Sequence, residues 1–189
     1  MNNLQVHPPR IIGFSGLKYA GKDTAGSAFV ERGWRLMKFA EPMKIMLAEL
    51  LEYRGAPRDE ITAMLEGDLK EVPTPYLDGR TPRHALQSIG TEWGRVLMFK
   101  EIWTNSLVDR VKSWGGTPCV VITDVRFHNE ATAIKALGGQ VFRIIGRGAT
   151  GDLHPSEREI PELDVTGEIM NDCESAEAFK NRVVRIFFS

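Results

Sequence analysis

The stretch Arg10-Ile11-Ile12-Gly13-Phe14-Ser15-Gly16-Leu17-Lys18-Tyr19-Ala20-Gly21-Lys22-Asp23-Thr24 joins an apolar run to a glycine-rich turn that ends in lysine. Residues Arg10 to Ser15 read as a buried parallel strand, since the apolar run gives neither face to water. The turn Gly16 to Thr24 follows at once. Gly16 and Gly21 can take backbone angles closed to other residues, which lets successive N–H groups face an anion instead of being screened by side chains. Lys22 adds a full positive charge. A helix beginning near Lys22 contributes unpaired N–H groups and the positive end of its dipole. The turn is built to hold polyphosphate.

The spacing Gly-x-x-x-x-Gly-Lys is that of the P-loop, which wraps Gly16, Leu17, Lys18, Tyr19, Ala20, Gly21, Lys22, Asp23 and Thr24 around phosphate groups. One position departs from the pattern. Asp23 stands where a Ser or Thr hydroxyl normally reaches magnesium, and the first hydroxyl comes one place later, at Thr24. Two readings of Asp23 stay open: contact with Mg²⁺ through water, or complementation of the first helical turn. Other glycine motifs fail here. Gly13-Phe14-Ser15-Gly16-Leu17 lacks the second glycine of a serine-hydrolase elbow, and the glycine spacing is wrong for a dinucleotide fingerprint.

With 189 residues the chain fits a single domain, 1–189, with a full core. A net charge of -1, with both signs spread along the sequence, offers no broad footprint for nucleic acid or an anionic membrane. The two cysteines, Cys119 and Cys173, are too far apart for a metal or redox motif and read as free thiols. Met1 to Pro9 has no apolar targeting core, and no stretch reaches transmembrane length. The expectation is a cytoplasmic protein with small-molecule partners, no nucleic acid and no membrane.

Along the chain, strand and helix patterns alternate. Trp34 to Phe39 alternates like a strand, and Pro42 opens an amphipathic segment with Met43, Met46, Leu47, Leu50 and Leu51 apolar. Gly55 to Pro82 is polar and rich in Gly and Pro, with one short helical candidate at Asp59 to Leu65, and reads as a mobile insertion. From Arg83 to Trp114 a helical period returns, placing Leu86, Ile89, Val96, Leu97, Ile102, Leu107 and Val111 in the core, with Gly90 to Gly94 as an interruption. Cys119 to Thr123 is a buried strand, Asn129 to Leu137 a helix and Gln140 to Ile145 a further strand. The polar stretch to about Thr166 has no period, and Ser175 to Phe188 reads as a final helix. This order implies an α/β fold: a mainly parallel sheet with helices on both faces, in three layers.

In such sheets ligands collect at the carboxyl ends of the strands. The glycine turn lies at one such end. Asp124 lies at another, directly after Cys119 to Thr123, where a carboxylate can hold magnesium through water or cap the next helix. Arg126, two residues on, carries a guanidinium fork suited to phosphate, or to a salt bridge with Asp124 or Glu130.

Three blocks now stand together: Gly16-Leu17-Lys18-x-x-Gly21-Lys22-Asp23-Thr24, Leu86-Gln87-x-x-Gly90-Thr91-Glu92-Trp93-Gly94-Arg95, and Asp124-Val125-Arg126-Phe127-x-Asn129-Glu130. Their combination resembles the phage-type deoxynucleoside monophosphate kinases, which share the Gly-Lys-Asp form of the loop. Phosphomevalonate kinases look similar at the loop and the Asp-x-Arg, so the central block carries the distinction. The resemblance implies a P-loop kinase fold that moves the γ-phosphoryl group of ATP, with Mg²⁺, to a deoxynucleoside 5′-monophosphate. It implies Lys22, Asp124 and Arg126 as catalytic residues, the loop as donor site, and Asp124 and Asp23 as magnesium-side groups. Gln87, Thr91, Trp93 and Arg95 fall, with Arg126, on the acceptor side, within an insertion at about 55–115. Residues 147–166 look like a lid, with Arg147 and Arg158 brought over the transferring group. The resemblance also suggests a homodimer. Two other readings remain: another small-molecule kinase, of the phosphomevalonate type, or a nucleotide-binding ATPase or switch.

Overall fold

The computed structural model describes residues 10–116, 118–146 and 158–189. The chain divides into two compact units, Met1–Phe39 with Leu107–Ser189, and Ala40–Ser106.

In the first unit five parallel strands form one sheet: β1 (Ile11–Ser15), β2 (Arg35–Met37), β3 (Val120–Val125), β4 (Gln140–Ile145) and β5 (Gly167–Met170). Their order is β2-β3-β1-β4-β5, with every neighbouring pair parallel. Helices α1 (Lys22–Val30), α6 (His128–Ala136) and α7 (Ala176–Phe188) cover it, with the later turns of α5 (Ile102–Ser113). Alternation along β1 divides the core in two. Ile12 and Phe14 pack with Ala25, Ala28 and Phe29 of α1 and with Phe179 and Val183 of α7. Ile11 packs instead with Leu107 and Val111 of α5 and Ala131 and Ile134 of α6. Helices therefore lie on both faces of the sheet, and the three-layer α/β architecture expected from the sequence is the one found.

This topology opens a crevice. The chain leaving β1 enters α1 on one face, whereas the chain leaving β3 enters α6 on the other, so the carboxyl ends of two adjacent strands part company at a topological switch point. A register irregularity lies at the same place. Gly13 pairs with Ile122 and Ser15 with Val125, so β3 spends one more residue than β1 in the step that contains Thr123 and Asp124. An extra residue of this kind breaks the alternation of faces and re-aims the side chains around it.

The second unit contains α2 (Glu41–Tyr53), α3 (Arg58–Glu66), α4 (Pro82–Gln87) and the first turn of α5. Here three sequence expectations are corrected. Residues 55–82 are packed, not a mobile insertion: Ile61, Met64 and Leu65, at i, i+3 and i+4 on α3, are buried against Leu47, Leu51 and Leu86. Gly90 to Gly94 does not interrupt the helix, which continues from α4 as a π-helix over Ser88–Met98. Val96 and Leu97 are not core, being 72% and 74% exposed. The i→i+5 bonding of a π-helix has a wider turn than the 3.6-residue period, so a phase extrapolated from α4 fails beyond Ser88. The glycines serve packing. A Cβ on Gly94 would stand 2.5 Å from the Trp103 ring, and Trp103 Nε1 donates to the Gly90 carbonyl at 2.8 Å.

One strand had no usable signal in the sequence. β5 has a single buried residue, Ile169, and one residue defines no period.

Candidate active site

The loop between β1 and α1 has three residues in the left-handed backbone region: Gly16 (φ 147°), Tyr19 (φ 69°) and Gly21 (φ 106°). Both glycines are required twice over. Side chains rarely adopt these angles, and a Cβ would stand 2.7 Å from the Ile144 carbonyl at Gly16 and 2.6 Å from Asn171 Nδ2 at Gly21. Tyr19 was not foreseen as a positive-φ position, because tyrosine is not a residue that favours one. Its ring is exposed, with Lys18 Nζ 5.0 Å from the centroid. The Ala20 N–H donates to the Leu17 carbonyl at 3.1 Å, which closes the turn, and Ala20 is buried beneath it.

Lys22 folds back across the loop. Its ammonium donates to the Gly16 and Leu17 carbonyls, at 2.7 Å each. The charge is thus held over the loop's own backbone, at the start of α1, whose first N–H groups have no intrahelical acceptors. Anchoring comes from behind: Phe29 of α1 stacks edge-on against Phe14, Trp34 and Phe187, with centroids 5.6, 4.8 and 5.2 Å apart. The helix that presents the loop is therefore fixed by aromatic packing.

Asp23 does more than complement the first turn. Its carboxylate accepts from the Thr123 hydroxyl at 2.8 Å and pairs with Lys38 Nζ at 3.1 Å. Thr123 comes this close because Gly26 has no side chain where α1 crosses β3. Crowding by protein works against ionisation of Asp23, and the Thr123 hydrogen bond, Lys38 and then Lys22 outweigh it, so the carboxyl titrates below its ordinary value of 3.8. A folded-state pKa below the unfolded one means that ionised Asp23 favours the folded chain above about pH 3.8, a contribution lost as pH falls through the lower, folded value. Lys38→Met is expected to move that titration upward, as read from the Asp23 carboxyl carbon by NMR. An unmoved titration would remove Lys38 from this account.

Across the crevice, Asp124 Oδ1 accepts from the Phe39 N–H at 2.9 Å, which ties the end of β3 to the turn just beyond β2. The next turn is capped from inside. Glu130, only 2% exposed, accepts through Oε2 from the N–H groups of Arg126 (2.8 Å) and Phe127 (3.2 Å). The backbone that carries Arg126 is thereby set by Glu130.

In the second unit the acceptor candidates lie along one continuous helical run, from the end of α4 into the π-helix. Gln87 immediately precedes the π-helix, and Thr91, Trp93 and Arg95 lie on it. Thr91 and Trp93 are exposed, while Trp93 tilts against Trp103 at 6.1 Å between centroids. Arg95 Nη1 donates to the Lys100 carbonyl at 3.4 Å. π-Helical turns recur at functional sites, and this one holds the block that carried the resemblance. Of the lid residues, Arg158 is exposed and Arg147 lies outside the described residues.

Could these residues hold a magnesium nucleotide? Among the described residues no three His, Cys, Asp or Glu side chains gather into a cage. Mg²⁺ bound with nucleotides takes one or two carboxylates and completes its shell with phosphate oxygens and water. Asp124, one carboxylate at a strand end beside the loop, is chemically compatible with that donor set.

Among the described residues no helix is long and apolar enough to cross a membrane. No family model matches the chain. A protein of Acanthamoeba polyphaga mimivirus bearing the name deoxynucleotide monophosphate kinase is 32% identical over 186 residues, spanning 92% of this chain and 94% of its own. The deoxynucleoside-5′-monophosphate kinase of Escherichia phage T5 is 33% identical over 99 residues, 48% of this chain and 39% of that one. The crystal structure of TT1252 from Thermus thermophilus aligns over 95% of this chain and 96% of its own, with a TM-score of 0.48 and 16% identity, a likeness too slight to bear on function. The near full-length viral match agrees with the loop, the Asp-x-Arg turn and the central block: this chain belongs to the deoxynucleoside monophosphate kinase family.

Proposed function

We propose that this kinase uses ATP as donor and Mg²⁺ as its metal, and phosphorylates a deoxynucleoside 5′-monophosphate to the diphosphate. The observation that carries the donor assignment is the loop Gly16–Thr24, with left-handed glycines that leave no room for a Cβ, at the carboxyl end of the central strand. Phosphoryl transfer passes through a loose transition state, so the protein's task is to position two substrates and neutralise charge on the moving group. Lys22 leaves the Gly16 and Leu17 carbonyls for the donor's phosphate oxygens. Asp124 would hold the hydrated metal, which would supply charge neutralisation at the donor phosphates. Asp23, occupied by Thr123 and Lys38, sets the shape and charge of the loop, and any reach to the metal is through water. Arg126 binds the acceptor phosphate through its fork, with Arg95 as a second cation on the acceptor side. Gln87, Thr91 and Trp93 read and stack on the acceptor base. Arg158 belongs to the same reading as a cation for the transferring group, and so does Arg147. A homodimer would have to use exposed apolar surface such as Val96, Leu97, Met98 and Phe99.

The test is ADP release measured with ATP, Mg²⁺ and a panel of deoxy- and ribonucleoside monophosphates plus phosphomevalonate. Turnover with a deoxynucleoside monophosphate supports the reading; turnover only with phosphomevalonate, or without any acceptor, overturns it. Trp93→Leu is expected to raise the acceptor KM by about tenfold while the ATP KM moves less than about twofold, since one stacked base contributes on the order of 1–3 kcal/mol. An unchanged acceptor KM would remove Trp93 from the base site.

A further inference from the structure

We infer that Asn171, which lies beyond the last strand and outside every motif above, is a positioning residue that aims the Gly21 N–H at the donor phosphates. The inference rests on the reading of the loop as donor site.

Asn171 is 6% exposed, and its side-chain Nδ2 donates to the Ala20 carbonyl at 2.8 Å in a buried hydrogen bond. The Ala20–Gly21 peptide is planar and trans, so its C=O and N–H point in opposite directions. Holding the Ala20 carbonyl toward Asn171 therefore fixes the Gly21 N–H away from it. Gly21 is the residue whose N–H begins the anion-binding end of α1, next to Lys22. The amide of Asn171 also lies against the Gly21 Cα, where a Cβ would meet Nδ2 at 2.6 Å, so the side chain acts as a stop behind this peptide as well as a donor to it.

Asn171 itself is held firmly. Its own N–H donates to the Ile145 carbonyl at 2.7 Å, which continues the pairing of β5 with β4. The residues on either side are gripped by one guanidinium: Arg182 Nη1 donates to the Met170 carbonyl at 2.7 Å and to the Asp172 carboxylate. Arg182 is on α7, whose Phe179 also packs against the Gly21 position. An amide is the side chain this place needs. It donates to a carbonyl without charge, whereas an aspartate would set a carboxylate against the carbonyl and favour the flipped peptide, with Gly21 N–H turned to the protein. The gain is preorganisation: a donor already aimed needs no reorientation when phosphate arrives.

The experiment uses the full chain and two substitutions, Asn171→Leu, which keeps volume and loses the donor, and Asn171→Ser, which is too short to make the same contact. Calorimetric affinities are measured for ATP, for inorganic tripolyphosphate and for the deoxynucleoside monophosphate acceptor, with Lys22→Ala as control. ATP and tripolyphosphate are expected to weaken together by on the order of tenfold, the effect of one hydrogen bond to a charged group, with acceptor affinity within about twofold of wild type. ATP binding is expected to shift the Gly21 amide proton downfield in the wild type and to leave it unshifted in both variants. Whichever substitution folds is sufficient. Donor affinity unchanged in Asn171→Leu or Asn171→Ser but lost in Lys22→Ala would reduce Asn171 to packing. Equal weakening of donor and acceptor would do the same. If Lys22→Ala also leaves ATP and tripolyphosphate affinity intact, the donor-loop reading itself fails.

Discussion

Lys22→Ala is expected to lower kcat by on the order of 10³-fold, measured as ADP release at saturating ATP and acceptor. The reason lies in what the ammonium does before and during the reaction. At rest it bonds the Gly16 and Leu17 carbonyls, two neutral acceptors at 2.7 Å, and exchange for anionic phosphate oxygens strengthens each contact. In the transition state negative charge shifts on the transferring and bridging oxygens, so a cation fixed beside them lowers the barrier more than it lowers the ground state. Alanine removes this charge while α1 stays anchored through Phe29, so the thermal midpoint should move little. Activity within tenfold of wild type would overturn the assignment of Lys22. A similar loss accompanied by a collapsed melting transition would point to loop folding instead, and would be resolved by Lys22→Met, which keeps the aliphatic stem.

The loop could be read from sequence because its determinants are local. A buried strand, two glycines at fixed spacing, a lysine and a helix start all fall within residues 10–30, where chain connectivity alone brings them together. The position of Asp124 and Arg126 at the carboxyl end of β3 was legible for the same reason, since both follow directly from its apolar run. Thr123, Lys38 and Asn171 were not. Thr123 meets Asp23 across 100 positions and Asn171 meets Ala20 across 151, and both contacts depend on the order in which strands join the sheet. No spacing rule in a single sequence encodes that order. The central block failed differently: its glycines look like helix breakers, but the Trp103 ring fills the space at Gly94, and the π-helix shifts the phase that a regular helix would keep.

Arg126→Lys tests the other side of the crevice, and it is expected to reduce kcat/KM for the acceptor by on the order of 10²-fold although formal charge is kept. A guanidinium offers two parallel N–H donors to one phosphate, which fixes both distance and rotation of the acceptor; an ammonium offers a point charge and leaves rotation free. Rotation matters here because in-line transfer needs the attacking oxygen aligned with the bond that breaks. A thermal melt run beside the assay separates this effect from folding. Glu130 binds the N–H groups of Arg126 and Phe127 through the backbone, contacts that any side chain at 126 preserves. ATP affinity of Arg126→Lys should stay within about twofold of the wild type, because a donor site built on the loop does not use this side chain. Loss of ATP affinity would move Arg126 to the donor phosphates. Unchanged kcat/KM would make it a structural residue, and the acceptor phosphate would then depend on Arg95 or the lid arginines, to be separated by Arg95→Lys in the same assay.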